Sequence, residues 1–187
     1  VMANRLKLVL PDIISLNQST FVPSRMITDN VLVAYEVSHY LLNKKKGKEG
    51  IEAVKADMSK AYDRVEWHFL EAMMVKMGFH RRFMELIMKC VRTVKYRIKI
   101  NGDLTEEVLP ERGLRQGDPL SPCLFLFCVE GFSALLKQAQ QEKEIQGVSL
   151  GRTGPSITHL LFADDSIVFL EASHSNMMRL RSILHVY

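Results

Sequence analysis

Residues 51–57, Ile-Glu-Ala-Val-Lys-Ala-Asp, alternate apolar and polar side chains and end on a carboxylate, the signature of a strand that delivers Asp57 at its tip. A second strand signal spans residues 157–170, Ile-Thr-His-Leu-Leu-Phe-Ala-Asp-Asp-Ser-Ile-Val-Phe-Leu: two apolar runs around an acidic pair, which falls at a hairpin turn. Helical spacing is expected over about 30–43 behind a cap at Thr28 or Asp29, and again over about 66–77 and 80–92, with Gly78 as the C-cap between them. Tyr96 to Ile100 alternates like a strand, Asn101-Gly102 is a hairpin turn signal, and the return strand covers about 104–109 before Pro110. Ser121 suits an N-cap and Pro122 the first helical position, so a long helix runs from there through Cys123-Leu124-Phe125-Leu126-Phe127 to about Gln141. Gly147, Gly151 and Gly154-Pro155 mark loops, and a last helix starts near His174.

Strands that deliver acids, with helices packed on one face, make an α+β fold. The length of 187 residues fits one domain, and 47% hydrophobic with 25% charged residues is a globular composition. No run approaches the ~20 apolar residues of a spanning helix, and the N-terminus has no secretory pattern, so no membrane partner is expected. Cys90, Cys123 and Cys128 read as reduced core residues of an intracellular protein. The histidines have no ligand spacing, and His68 and His159 read as surface or packing residues. The first residue is Val1, and the chain reads as a piece of a longer polypeptide.

Net charge is +4, unevenly spread. Lys76, Arg81, Arg82, Lys89, Arg92, Lys95, Arg97 and Lys99 face the single acid Glu85 across residues 76–99, either as a solvated helix face or as a phosphate-tracking surface. Lys44-Lys45-Lys46-Gly47-Lys48 reads as an exposed loop.

The chemistry sits in three blocks. Asp164 and Asp165 hold two like charges beside hydrophobic side chains, a costly arrangement that a divalent cation such as Mg²⁺ would relieve. Taken alone the pair is also an ordinary solvated turn. With Asp57 it offers three carboxylates that could converge on two metal ions, the arrangement that stabilises attacking and leaving oxygens in phosphoryl displacement. The third block, Gly113-Leu114-Arg115-Gln116-Gly117-Asp118-Pro119-Leu120-Ser121-Pro122, is a loop leading into a core helix; its two glycines permit close approach of a ligand to the backbone.

In order and spacing these blocks resemble the palm of reverse transcriptases, and most of all the non-LTR, LINE-type, plant-like retrotransposon enzymes. Residues 56–67 resemble that family's motif A, 113–122 its motif B and Phe162-Ala163-Asp164-Asp165 its motif C; Asn17 through Arg25, with Asp29-Asn30, resembles the fingers-side block before motif A. The resemblance covers essentially the whole chain and implies a right-hand polymerase palm over about 51–187, an antiparallel sheet with helices on one face, plus partial fingers over about 1–50. It places the thumb, primer grip and endonuclease outside these residues.

The resemblance further implies an RNA-directed DNA polymerase whose partners are an RNA template, a DNA primer and deoxynucleoside triphosphates. Asp57 and Asp164 would ligate two Mg²⁺ ions, with Mn²⁺ as a substitute; the Met58 carbonyl would touch the nucleotide-bound ion and Asp165 would lie at the periphery. Tyr62 matches the steric gate against the ribose 2′-hydroxyl, and Gln116 with Gly117 borders the incoming nucleotide. Arg25 is a candidate contact to template or triphosphate, although Ser24 stands where the family has glycine; Asp63 and Asp118 match motif positions but read as structural. The alternatives are a non-catalytic nucleic-acid-binding remnant of a mobile element and a group II intron-type maturase.

Overall fold

A computed structural model describes residues 1–43, 50–150 and 154–187. The Lys44–Lys48 loop and Gly151 lie outside the described residues. In chain order the elements are α1 (Met2–Ile13), α2 (Ile27–Asn43), β1 (Ile51–Asp57), a 3-10 turn (Tyr62–Arg64), α3 (Trp67–Lys76), α4 (Arg81–Arg92), β2 (Lys99–Ile100), β3 (Asp103–Leu104), α5 (Ser121–Gln141), β4 (Val148–Ser149), β5 (Ser156–Ile157), β6 (His159–Phe162), β7 (Asp165–Glu171) and α6 (His174–Val186). The α+β class is as expected. Two elements were not: α1, which contains Pro11, and the short β4–β5 hairpin, expected only as loop.

The chain forms two compact units. One comprises residues 1–6 and 60–128, the other 7–59 and 129–187, a division that does not follow the expected boundary near residue 50.

In the second unit the principal sheet is antiparallel with strand order β1-β7-β6. β1 pairs with β7 along its whole length, from Ile51 opposite Glu171 to Asp57 opposite Asp165. Side chains alternate between faces, and both faces are covered, which corrects the expectation of helices on one face only. Leu160 and Phe169 on one face cluster with Val37 of α2 and Val148. On the other, the ring of His159 is hydrogen-bonded to the Ser133 hydroxyl of α5 at 2.8 Å. The one-face expectation failed because a strand as apolar as β7, with Val168, Phe169 and Leu170 all buried, has no polar face to leave in water.

In the first unit α4 buries Ile87, Met88 and Val91 and turns its charged residues outward. Gly78 closes the α3 end at φ 80, as the C-cap expectation requires. Phe79 packs on Phe83 and on Phe127 at centroid distances of 6.0 and 5.2 Å. Among the described residues, α5 is long and apolar enough by composition to cross a membrane, which the expectation of no such run did not foresee. Its most apolar window is 67% buried within the fold, however, so it serves as the core helix. Phe125, Phe127, Phe132 and Leu136 are fully buried, each worth about 1.5–3 kcal/mol of transfer free energy.

Candidate active site

Asp57 is the last residue of β1 and stands directly opposite Asp165, the first residue of β7. Cross-strand partners in an antiparallel pair share a face, so the register sets these two carboxylates side by side. Asp164 occupies the turn just before Asp165, and its carbonyl accepts the Met58 N–H at 3.2 Å, which fixes the chain leaving β1 to the tip of the β6–β7 hairpin. Phe162 pairs with Asp165, so the two-residue turn is Ala163-Asp164 rather than the acidic pair itself. The positive φ that such a turn demands is carried by Ala163, at 57°.

Asp57 and Asp164 are exposed and Asp165 partly so; the expected cost of holding charges against apolar neighbours is therefore small. Neither the Asp57 nor the Asp164 carboxylate has a hydrogen-bond or ion-pair partner among the described residues, whereas Asp165 Oδ1 meets Lys55 Nζ at 3.2 Å. Among the described residues no three His, Cys, Asp or Glu side chains converge as a metal-ligating group. The expected convergence of all three carboxylates is thus not what the described residues show: the register aligns Asp57 with Asp165, and Lys55 pairs with that same Asp165. In kind, hard anionic oxygens without protein partners at one hairpin end fit a hard divalent cation.

Gln18, Asn17 and Asn30 hold this hairpin and were not singled out from the sequence. Gln18 forms a parallel bridge to Leu161, whose N–H donates to the Asn17 carbonyl at 2.8 Å. The Asn17 amide donates to the His159 carbonyl at 2.8 Å, and the Asn30 amide to the carbonyls of Asn17 and Leu161 at 2.7 and 3.0 Å. The signal was present, since all three lie in the fingers-side block, but an amide reaching for main chain leaves no mark in a sequence.

Arg25 takes a different role from the expected one. Its guanidinium donates to the carbonyls of Ser15 and Gln18 at 2.6 and 2.9 Å and to those of Pro11 and Ile14 at 3.0 and 2.7 Å, tying the last turn of α1 to the loop that follows it. Burial pushes its pKa down against the pull of Glu130, which itself accepts the Ser15 N–H at 2.9 Å. A fork committed to four carbonyls is not directed at a template or triphosphate. Ser24, standing where the family has glycine, lies at φ 68, so the loop keeps a glycine-like backbone without the glycine.

In the other unit, the end of motif A is laced to the start of motif B through main chain. Leu114 N–H donates to the Tyr62 carbonyl and Gly113 N–H to the Val65 carbonyl, each at 2.8 Å, and the Trp67 indole donates to the Gly113 carbonyl at 2.8 Å. A Cβ on Gly113 would lie 3.0 Å from the Asp63 carbonyl oxygen, so the close approach this glycine permits is to the chain's own backbone. The Asp118 N–H returns to the Arg115 carbonyl at 3.3 Å, closing a turn whose third position is Gly117 at φ 85, the type II requirement. Gln116 sits exposed at the second position.

The Asp118 carboxylate accepts the Leu120 N–H at 2.8 Å and so shapes the entry to α5, the structural part expected of it. Tyr62 stacks on Phe125 with centroids 4.8 Å apart. A cleft beneath this loop is lined by Trp67, Val91, Tyr96, Pro110, Leu114 and Asp118.

The basic stretch is partly neutralised. Arg81 pairs with Glu85, Arg92 with Glu71, and Lys95 and Arg97 both with Glu107, while Lys76, Arg82, Lys89 and Lys99 are exposed without an acidic partner among the described residues. Cys128 is buried, its thiol pushed up to about 12 by desolvation, and Cys123 is buried too. Cys90 is exposed, contrary to expectation, because it falls on the outward side of α4. His159 is fully buried and pushed down to about 3 by desolvation and then by Lys137, which makes it a neutral packing residue; His68 lies at the surface.

The geometry agrees with comparisons to known proteins. The reverse transcriptase (RNA-dependent DNA polymerase) family matches residues 1–186. The chain is 51% identical over 67 residues to an uncharacterized mitochondrial protein of Arabidopsis thaliana, covering 36% of this chain and 55% of that one. It is 30% identical over 164 residues to the 149 kDa protein of transposon TX1 from Xenopus laevis, covering 88% of this chain and 12% of the relative. A Pol polyprotein from the type-1 retrotransposable element R2 of Popillia japonica is 29% identical over 133 residues, covering 71% of this chain and 21% of the relative. Among solved structures, apo telomerase from Candida tropicalis superimposes with a TM-score of 0.60 at 14% identity, over 98% of this chain and 35% of that one, a likeness of fold. The chain therefore spans only part of the length of these relatives, and it belongs to the reverse transcriptase (RNA-dependent DNA polymerase) family, in its LINE-type, non-LTR retrotransposon branch.

Proposed function

We propose that this chain carries the nucleotidyl-transfer centre of an intracellular LINE-type reverse transcriptase, which extends a DNA primer on an RNA template from deoxynucleoside triphosphates. The observation that carries the reading is the register that puts Asp57 opposite Asp165 with Asp164 in the adjoining turn. Asp57 and Asp164, with the Met58 carbonyl, would hold two Mg²⁺ ions, Mn²⁺ serving as a substitute, and Asp165 would support them from the periphery. Bound there, the ions would lower the pKa of the primer 3′-hydroxyl and neutralise the triphosphate. Gln116, exposed at the apex of a turn that Gly117 makes possible, would border the nucleotide. Tyr62, its ring braced flat against Phe125, would exclude a ribose 2′-hydroxyl by shape.

Primer extension on an RNA template by the natural polypeptide that contains these residues tests the reading. Asp57→Asn and Asp164→Asn should each lower extension at least about a hundredfold with the fold retained, because transition-state charge loses its stabilisation while an exposed side chain contributes little packing. Near-normal extension by Asp164→Asn would falsify the assignment. A second reading, a non-catalytic nucleic-acid-binding remnant, draws on the Lys55–Asp165 ion pair. It predicts nucleic-acid binding that fades with salt and is indifferent to all three aspartates.

A further inference from the structure

We infer that Gln18 is a positioning residue for the acidic turn: its side-chain oxygen fixes the Ala163 backbone and thereby sets where Asp164 is presented. The inference rests on the reading of Asp164 as catalytic, but its geometry stands independently. In a two-residue hairpin turn the first turn residue lies beyond the ladder, so its N–H has no partner in the sheet. Here that residue is Ala163, held at φ 57, where residues other than glycine are uncommon and persist only when their surroundings impose the conformation. The Ala163 N–H donates to Gln18 Oε1 at 3.3 Å, and the same oxygen accepts the Thr20 N–H at 2.9 Å.

Two backbone N–H groups converging on one oxygen fix the orientation of the amide, so its NH₂ points the other way, where Gln18 Nε2 is buried without a partner. A side chain 1% exposed that leaves its own donor unsatisfied while its oxygen serves two N–H groups is held for that oxygen. Gln18 is in turn seated by its bridge to Leu161 and by the Asn17 and Asn30 bonds to the same strand, so it reaches the turn from an anchored backbone. Nothing in Asp164 itself dictates the turn. The conformation that presents it is written into residue 18.

The test is amide hydrogen exchange at Ala163 by NMR, together with primer-extension kinetics of the natural polypeptide. In the wild type the Ala163 N–H should be protected, and in Gln18→Met, similar in size but without the oxygen, its protection should fall at least about tenfold while that of Leu161 N–H persists. For extension, Gln18→Met should lower kcat about tenfold or more with KM for the nucleotide within about threefold, since the reactants bind but the turn is misplaced. Gln18→Glu, which keeps the oxygen, should restore most of the lost kcat. An unprotected Ala163 N–H in the wild type overturns the inference even if no variant folds. So does an unchanged kcat in Gln18→Met, or a Gln18→Glu no better than Gln18→Met. If instead Asp164→Asn extends primers normally while Ala163 remains protected, the catalytic reading fails and the link from Gln18 to the turn stands.

Discussion

At Asn101-Gly102 the backbone reaches φ 51 and 103, the two positive values of a tight hairpin, on the residue pair best suited to them; the strands it joins are two residues each, all of them exposed. At Ala163-Asp164 a two-residue turn with positive φ at its first residue alone puts alanine where glycine is favoured, yet β7 beyond it is paired on both sides, and β6 and β7 are largely buried. The first hairpin needs little help because its turn chemistry is local. The second surrenders local preference to place a carboxylate at its tip, and the conformation is imposed from outside, by the β1 ladder, by the segment bearing Gln18 and, behind that segment, by Arg25. A site that breaks a local rule is one where the surrounding fold compensates.

The sharpest way to break this comparison is to give the second hairpin a residue suited to its positive φ and take the charge from its tip. Ala163→Asn with Asp164→Asn should stabilise the protein by about 0.5–1 kcal/mol, raising Tm by a few degrees, while primer extension falls at least about a hundredfold. A calorimetric Tm set beside an extension assay checks both signs. If the double variant is less stable, the alanine turn carries no local cost and the contrast collapses.

Removing the outside support should cost more stability than any change to the turn. Arg25→Met removes the donor shared by four carbonyls, from Pro11 in the last turn of α1 to Gln18 in the loop after it, and should destabilise by about 2–4 kcal/mol in urea titration. The exposed Arg81→Met, which loses only a surface pair with Glu85, should stay within about 0.5 kcal/mol.

The second hairpin should also bear a pH signature that the first lacks. His159, on β6, is lowered from 6.5 to about 3 by burial, so between those values the unfolded chain binds a proton that the folded chain does not. Stability is full above about 6.5 and is lost as pH falls toward 3, with a slope of at most about 1.4 kcal/mol per pH unit from this group. His159→Gln should flatten that part of the curve, measured as urea midpoint against pH. In the first hairpin the effect should stay local: Gly102→Ala, at φ 103, should cost about 1 kcal/mol, visible as faster amide exchange confined to residues 95–109.

How much of this was legible depended on whether the cause was local. The strand ending in Asp57, the Gly78 cap, the Asn101-Gly102 turn and the α5 start all follow from neighbouring residues, and each lies within a few residues of its expected place. α1 was not legible, because Pro11 near its end and basic residues such as Arg5 and Lys7 mask the stripe of Leu6 and Leu10 that it buries. Arg25 was misassigned because the acceptors of its guanidinium are carbonyls, which every residue has; the last turn of α1 and the loop after it gather them. The three aspartates were legible as a motif. The lack of a three-carboxylate cluster was not, and neither was the Lys55–Asp165 pair, which the register allows by setting Lys55 diagonal to Asp165.

The lacing of Gly113 to Tyr62 and Val65 has a consequence for heredity. A joint made of main chain does not read the letters at most of its positions: Asp63 touches it through its carbonyl and α-carbon, and its carboxylate could be rewritten without loosening it. The heritable text of the joint shrinks to the residues that cannot be transcribed into others, Gly113 for want of space and Trp67 for its indole donor. Substitutions elsewhere along this seam pass unread, and the sequence there can drift widely while the seam stays closed.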